Sequence, residues 1–189
     1  MWDERVPIHV AGDLSDVDGF RSGRRRLAVE PFEVDELGEV DGYTGKGALI
    51  WLPDTPRWAD VCTALVAPGG IFYLSEFHPV ADMFGWESLD LERSYFDPAP
   101  MFDEMSGTYA DLDAPTTHDA CYEWQHPLST VVSALIGAGL EIQFLHEYPF
   151  TLFPRWPFLE RRDDGTFVLP PGMPQPPLIY SIRASKPPQ

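Results

Sequence analysis

The stretch F-E-V-D-E-L-G-E-V-D-G-Y-T-G-K-G-A-L-I-W-L-P-D, residues 32–54, decides how this chain is read. Its acidic first half runs through Gly42 straight into Tyr43, and an apolar stretch at residues 48–52 is closed by Pro53. Beyond it Trp58, Val61, Cys62 and Leu65 recur at helical spacing, which predicts an amphipathic helix with Thr55 as N-cap and Pro56 at its first position. Pro68-Gly69-Gly70 is a stop-and-turn signal, and I-F-Y-L-S-E-F at residues 71–77 is a short apolar run rich in β-formers, the pattern of a buried strand.

Working outward, residues 1–42 are acidic and weakly periodic, and read as a short helix with an extended arm. Residues 79–120 form a long polar and aromatic insertion in which Tyr95, Phe96, Phe102 and Tyr109 alternate with acids and prolines, a lid-like composition. Pro127 begins a second helix through Val131, Val132, Leu135 and Ile136, closed by Gly137 and Gly139. E-I-Q-F-L-H-E-Y-P-F at residues 141–150 alternates like a strand, residues 166–169 read as one arm of a hairpin, and residues 177–184 read as the last strand. Helices and strands in this order make the chain α/β, in a single domain over residues 1–189.

Composition narrows the partners. Of 189 residues, 44% are hydrophobic and 13% aromatic, enough to build a core. Thirteen Lys and Arg against 30 Asp and Glu give a net charge of −17, and that field repels phosphate backbones and anionic lipid. Nucleic acid and membrane are therefore not expected as partners. Arg21, Arg24, Arg25 and Arg26 form the one basic cluster, read as a solvated face paired with nearby acids. The N-terminus has no apolar signal region and no run reaches the ~18 apolar residues of a span, so a cytoplasmic location is expected. Cys62 and Cys121 are isolated, so neither a disulfide framework nor a metal site is expected. Asp13, Asp16 and Asp18 before Gly19 lack the spacing of a calcium loop and read as a solvated turn.

Y-T-G-K-G-A-L-I-W-L-P-D at residues 43–54, then R-W-A-D-V, A-P-G-G and E-F-H-P at residues 76–79, resemble the second half of a class I S-adenosylmethionine methyltransferase of the small-molecule type. Y-E-W-Q-H-P-L at residues 122–128 and F-L-H-E-Y-P-F at residues 144–150 are similar to the helix and antiparallel last strands of that fold. M-W-D-E-R-V-P-I-H-V resembles its N-terminal cap. The resemblance implies a reduced Rossmann-like fold: a small mixed sheet of the family's strands 4-5-7-6, with flanking helices and a cap over residues 1–42. It also implies that the glycine-rich strand and the ribose-binding acid are missing at Gly42–Tyr43, a gap of roughly two βαβ units at ~30 residues each. Gly45-Lys46-Gly47 lacks the third glycine of a nucleotide turn and reads as a turn after the residual fourth strand.

Histidines and a carboxylate near the expected rim are the groups suited to proton transfer. His78 with Glu76 is the first candidate pair, followed by His126 and Tyr43. Trp2, His9, Trp51, His118, Trp124 and Trp156 are candidates to line a substrate pocket. His146 reads as a structural histidine. Together these suggest an enzyme acting on a small hydrophobic metabolite by His/Glu acid–base chemistry, an isomerisation, cyclisation or elimination, without S-adenosylmethionine. The alternatives are a methyltransferase completed by another chain, which alone would make that cofactor possible, and a non-catalytic binding or partner subunit. Loss of the first strands would leave an edge, so a homodimer is expected.

Overall fold

A computed structural model describes residues 2–11, 17–23, 30–37, 42–104, 106–108, 111 and 113–188, with Trp2, Phe20 and residues 42–46 described by backbone alone. Asp13, Asp16, Arg24, Arg25, Arg26 and Tyr109 lie outside the described residues. The chain divides into two compact units, Met1–Asp35 with Phe102–Tyr122, and Glu36–Met101 with Glu123–Gln189.

In the first unit the expected single helix is joined by further helical turns. Helix α1 spans Trp2–Ala11, α2 spans Val17–Arg21, and α3, Pro31–Leu37, begins here and ends in the second unit. The start of α3 has a local cause: Pro31 opens it, and the Glu33 carboxylate reaches back to accept the Glu30 N–H at 2.6 Å. Glu4 of α1 accepts the His118 N–H at 2.7 Å, and the Thr117 N–H and hydroxyl at 3.2 and 2.9 Å. Those residues precede a strand of a two-stranded sheet, β3 (Met101–Glu104) with β4 (Ala120–Glu123).

The second unit is built on a four-stranded sheet. After β1 (Gly42–Lys46), a 3₁₀ turn over Leu49–Trp51 leads to α4 (Thr55–Leu65) and to β2 (Ile71–Phe77), which pairs parallel to β1. Helix α5 (Leu128–Gly137) is followed by β5 (Glu141–Tyr148) and finally β9 (Ile179–Ser185), which inserts antiparallel between β2 and β5. The order β1-β2-β9-β5 is the expected 4-5-7-6 arrangement. Short strands β6 (Phe150–Thr151), β7 (Glu160–Arg161) and β8 (Phe167–Val168) form a separate sheet in the order β6-β8-β7, so the expected hairpin arm pairs on both sides.

Two boundaries move. Gly45 and Lys46 belong to β1 and only Gly47, at φ +57°, makes the turn, because residue-by-residue pairing with β2 continues to Ser75. The N-cap of α4 is Asp54, whose carboxylate accepts the Arg57 N–H at 3.0 Å, leaving Thr55 and Pro56 as its first two residues. Leu74, Ile182, Ala59, Cys62, Val131 and Leu135 knit one face of the sheet to α4 and α5.

The far end of α4 is closed by charge. The Lys186 ammonium donates to the carbonyls of Thr63 and Val66, both at 2.9 Å, where the helix exposes its negative end. Lys186→Met is expected to destabilise the fold by about 1–2 kcal/mol, measured as a shift in urea midpoint with unchanged slope.

Candidate functional site

Open α/β sheets hold ligands at the carboxyl ends of their parallel strands, and β2 delivers Glu76 and then His78 to that end. Alternation turns Phe72, Leu74 and Glu76 to the side packed by the helices. Register places Tyr180 of β9 opposite Glu76, and Glu147 of β5 opposite Tyr180. A polar row therefore crosses three strands at the rim.

His78 closes the row. Its Nδ1 accepts the Val80 N–H at 3.1 Å, so the ring proton sits on Nε2, which donates to Glu147 Oε1 at 2.8 Å. Burial holds its pKa below the ordinary histidine value, against the pull of Glu147 and Asp82. The imidazole also stands edge-on to the Tyr180 ring, centroids 5.9 Å apart.

Glu76 is 4% exposed and accepts the Leu49 N–H on Oε2 and the Phe77 N–H on Oε1, each at 2.9 Å. Burial pushes its carboxyl up to about 7; the backbone donors of Leu49, Phe77 and Ala48 oppose that rise, and Asp82 adds to it. No hydrogen bond joins Glu76 to His78. Burial, reinforced by Glu76, Tyr95 and Asp82, lifts the Tyr180 pKa well above the usual phenol value.

His126 has a different task. Its Nε2 donates to the Leu52 carbonyl at 2.8 Å, so Nδ1 accepts the Thr55 hydroxyl at 2.9 Å, stapling the approach to α5 onto the start of α4. Burial lowers its pKa. Asp82, on the 3₁₀ turn Ala81–Met83, pairs with Arg155 at 2.5 Å, and its charge acts on Glu76, His78, His126 and Tyr180 alike. That common neighbour was invisible in the sequence, as were Tyr180 and Glu147. Buried Gln125 donates from Nε2 to the carbonyls of Pro79 and Tyr95, at 3.1 and 3.3 Å.

The remaining candidates are scattered. Tyr43 lies on β1 opposite Phe72, its side chain undescribed. Trp51 ends the 3₁₀ turn, and the Trp124 backbone N–H donates to the carbonyl of Ile50, the chain neighbour of Trp51, at 2.7 Å. Trp156 is 2% exposed and stacks on Phe158 at 5.8 Å, inside a small core with Ala81 and Leu178. Trp2, His9 and His118 belong to the first unit. Among the described residues no group of three His, Cys, Asp or Glu could hold a metal, and no helix is long and apolar enough to cross a membrane.

Among the described residues no strand precedes β1 to supply a glycine-rich turn and a ribose-binding acid. The turn after β1 is made at Gly47, where a Cβ would meet the Phe77 ring at 3.6 Å, an ordinary van der Waals contact.

The topology defines the class: a reduced Rossmann-like α/β fold. No protein-family model matches the chain, and no curated protein does. Among solved structures it is similar to an S-adenosylmethionine-dependent methyltransferase from Mesorhizobium loti, with 17% identity and a TM-score of 0.49 over 78% of this chain and 63% of that one. A candidate S-adenosylmethionine-dependent methyltransferase from Listeria monocytogenes gives 14% identity and a TM-score of 0.49 over the same shares, 78% and 63%. One from Methanosarcina mazei gives 14% and 0.42 over 77% of this chain and 58% of that one. The chain thus spans less than two thirds of the length of the structures it matches.

Proposed function

We propose that the protein is a methyltransferase-like enzyme that acts on a small hydrophobic metabolite by proton transfer, without S-adenosylmethionine. One observation carries this reading: the Glu76 carboxyl is buried at the rim opposite Tyr180, where burial pushes its pKa up to about 7. A group that titrates near the working pH is suited to give and take a proton in turn, which is what an isomerisation, cyclisation or elimination requires. His78, with its proton fixed on Nε2 and passed toward Glu147, supports the same site, and Trp51 and Trp124 supply apolar wall. His126 and Tyr43 complete the candidate set.

Native mass spectrometry of the freshly purified chain tests this by identifying a copurifying small molecule. Glu76→Gln is expected to slow its conversion by about 100-fold, the usual contribution of a positioned acid or base. A protein that carries no compound and converts none, or a Glu76→Gln variant as fast as the parent, ends the reading.

A second reading rests on β1. That strand pairs only with β2 among the described residues, so its outer edge can take a further strand. A second copy of the chain would cover it and give a homodimer; a different chain carrying the missing strands would restore a methyltransferase. Light scattering at micromolar concentration is expected to give the dimer mass, and a monomer contradicts it. Calorimetry with S-adenosylmethionine, alone and with candidate partners, separates the two, since silence in both titrations removes the completed methyltransferase.

A further inference from the structure

On the opposite side of the sheet a second polar row lies one residue out of step with the first. Ser75 of β2, Ser181 of β9 and His146 of β5 are cross-strand neighbours. Glu36, from the last turn of α3, inserts its carboxylate beside them. Oε2 accepts the Tyr73 hydroxyl at 2.5 Å, and Oε1 accepts both the Tyr148 hydroxyl and His146 Nδ1, the latter at 2.5 Å. Burial alone would raise the pKa of Glu36, but the bonds from His146, Tyr148 and Tyr73 outweigh it and hold the carboxyl below its usual range.

An ionised carboxylate only accepts, so His146 must donate from Nδ1. In the neutral ring the lone pair then lies on Nε2. The Glu36 side chain is 11% exposed and that of His146 is 51%, so the imidazole is half open to water while its Nδ1 is anchored on the carboxylate. Phe144 stacks flat on the imidazole, centroids 4.3 Å apart and planes 9° off parallel, which fixes the direction of that lone pair. His78 and His126 are the reverse case: each donates from Nε2 to an acceptor of the fold and has its Nδ1 engaged as well.

A carboxylate that orients an imidazole and pairs with the positive charge formed when its far nitrogen reacts is the arrangement that activates histidine toward electrophiles. We propose that His146 is an acyl-accepting nucleophile for activated esters, presented through Nε2 by Glu36. The Nε2 lone pair forms a bond to the acyl carbon, and the ester C–O bond breaks with its electron pair leaving on the alcohol oxygen. The resulting acylimidazolium keeps its Nδ1 proton against Glu36. Water then adds to the acyl carbon, releasing the carboxylic acid and one proton to solvent and restoring the imidazole. His146 is the catalytic residue, and Glu36, Tyr73 and Tyr148 are positioning residues. This activity is independent of Glu76.

The test uses the full chain with p-nitrophenyl acetate. Release of p-nitrophenolate is expected to be at least about tenfold faster than with free imidazole at equal concentration, a modest share of what an oriented base contributes. His146→Gln should remove that excess. A rate equal to imidazole, or one unchanged in His146→Gln, overturns the proposal. Glu36→Gln should slow release about tenfold and convert the single Nδ1–H tautomer, read in nitrogen-edited NMR spectra, into a mixture; an unchanged tautomer and rate remove Glu36 from the role. A measurement on the unaltered chain covers the case in which variants misfold. His118 is the more exposed histidine, its side chain 72% accessible, and it lies 3.3 Å from a Glu4 carboxylate that already serves three other donors. Exposure alone would make His118 react first with diethyl pyrocarbonate, whereas the proposal requires His146 to be carbethoxylated faster. The reverse order overturns it.

Discussion

Raising the pH from about 4.5 to above 7 is expected to remove about 3 kcal/mol of stability from the fold, and Glu76→Gln is expected to abolish that slope. In the unfolded chain the Glu76 carboxyl loses its proton near its ordinary value of 4.5, whereas in the folded chain it keeps it to about 7. Between those values the folded state holds one proton more, so every rise in pH favours unfolding. The contribution is fully present below the lower value and gone above the upper one. Urea midpoints measured across this window check the sign. A flat profile for the parent chain would mean that the buried carboxyl ionises freely and is not poised for proton transfer.

Glu36→Ala is expected to cost about 3 kcal/mol at neutral pH, because it strands three donors on one side of the sheet. Tyr73, only 1% exposed, is the hardest of them to resolvate. The pH dependence here runs the other way. The folded pKa of Glu36 lies below its unfolded value, so its contribution is present above about 4.5 and is lost as the pH falls through the folded value. In Glu36→Ala that acid-side loss should disappear from the urea profile. The two carboxyls thus oppose one another in separate windows, and their joint stabilisation peaks near the ordinary carboxylate pKa, on the acid side of neutrality.

Much of the fold was legible because it is written in local patterns. The helical spacing of Trp58, Val61, Cys62 and Leu65 and the apolar run before Glu76 gave α4 and β2. The glycine stops after Leu65 and Ile136 gave their ends. Helix α3 carries a signal of the same kind, Glu30-Pro31 followed by Glu33, whose carboxylate makes one half of a capping box. The cap of α4 was misplaced by one residue because Asp54 and Thr55 are both good capping types, and only the geometry shows that Asp54 reaches the Arg57 N–H.

The polar rows were not legible, for a reason seen in β5. Simple alternation from Glu141 would align Ile142 with Phe144, His146 and Tyr148 on one face. The register slips between Ile142 and Phe144, so Gln143 is an extra residue and the two halves of the strand face differently. Ile142 and Leu145 consequently both pack on the helix-side core, while Phe144, His146 and Tyr148 turn to Glu36. A bulge depends on the partner strand, and nothing in the sequence near Gln143 announces it.

By itself, then, the sequence determined the element order and the arrival of Glu76 and His78 at a strand end, since each follows from spacing along the chain. Only the tertiary structure decided which groups share an environment. Tyr180 and Glu147 join Glu76 across three strands, the Asp82 charge acts on Glu76 and Tyr180 from a turn, and Glu36 finds His146 from 110 residues away. Cross-strand register and burial set those encounters, which sequence spacing alone does not specify.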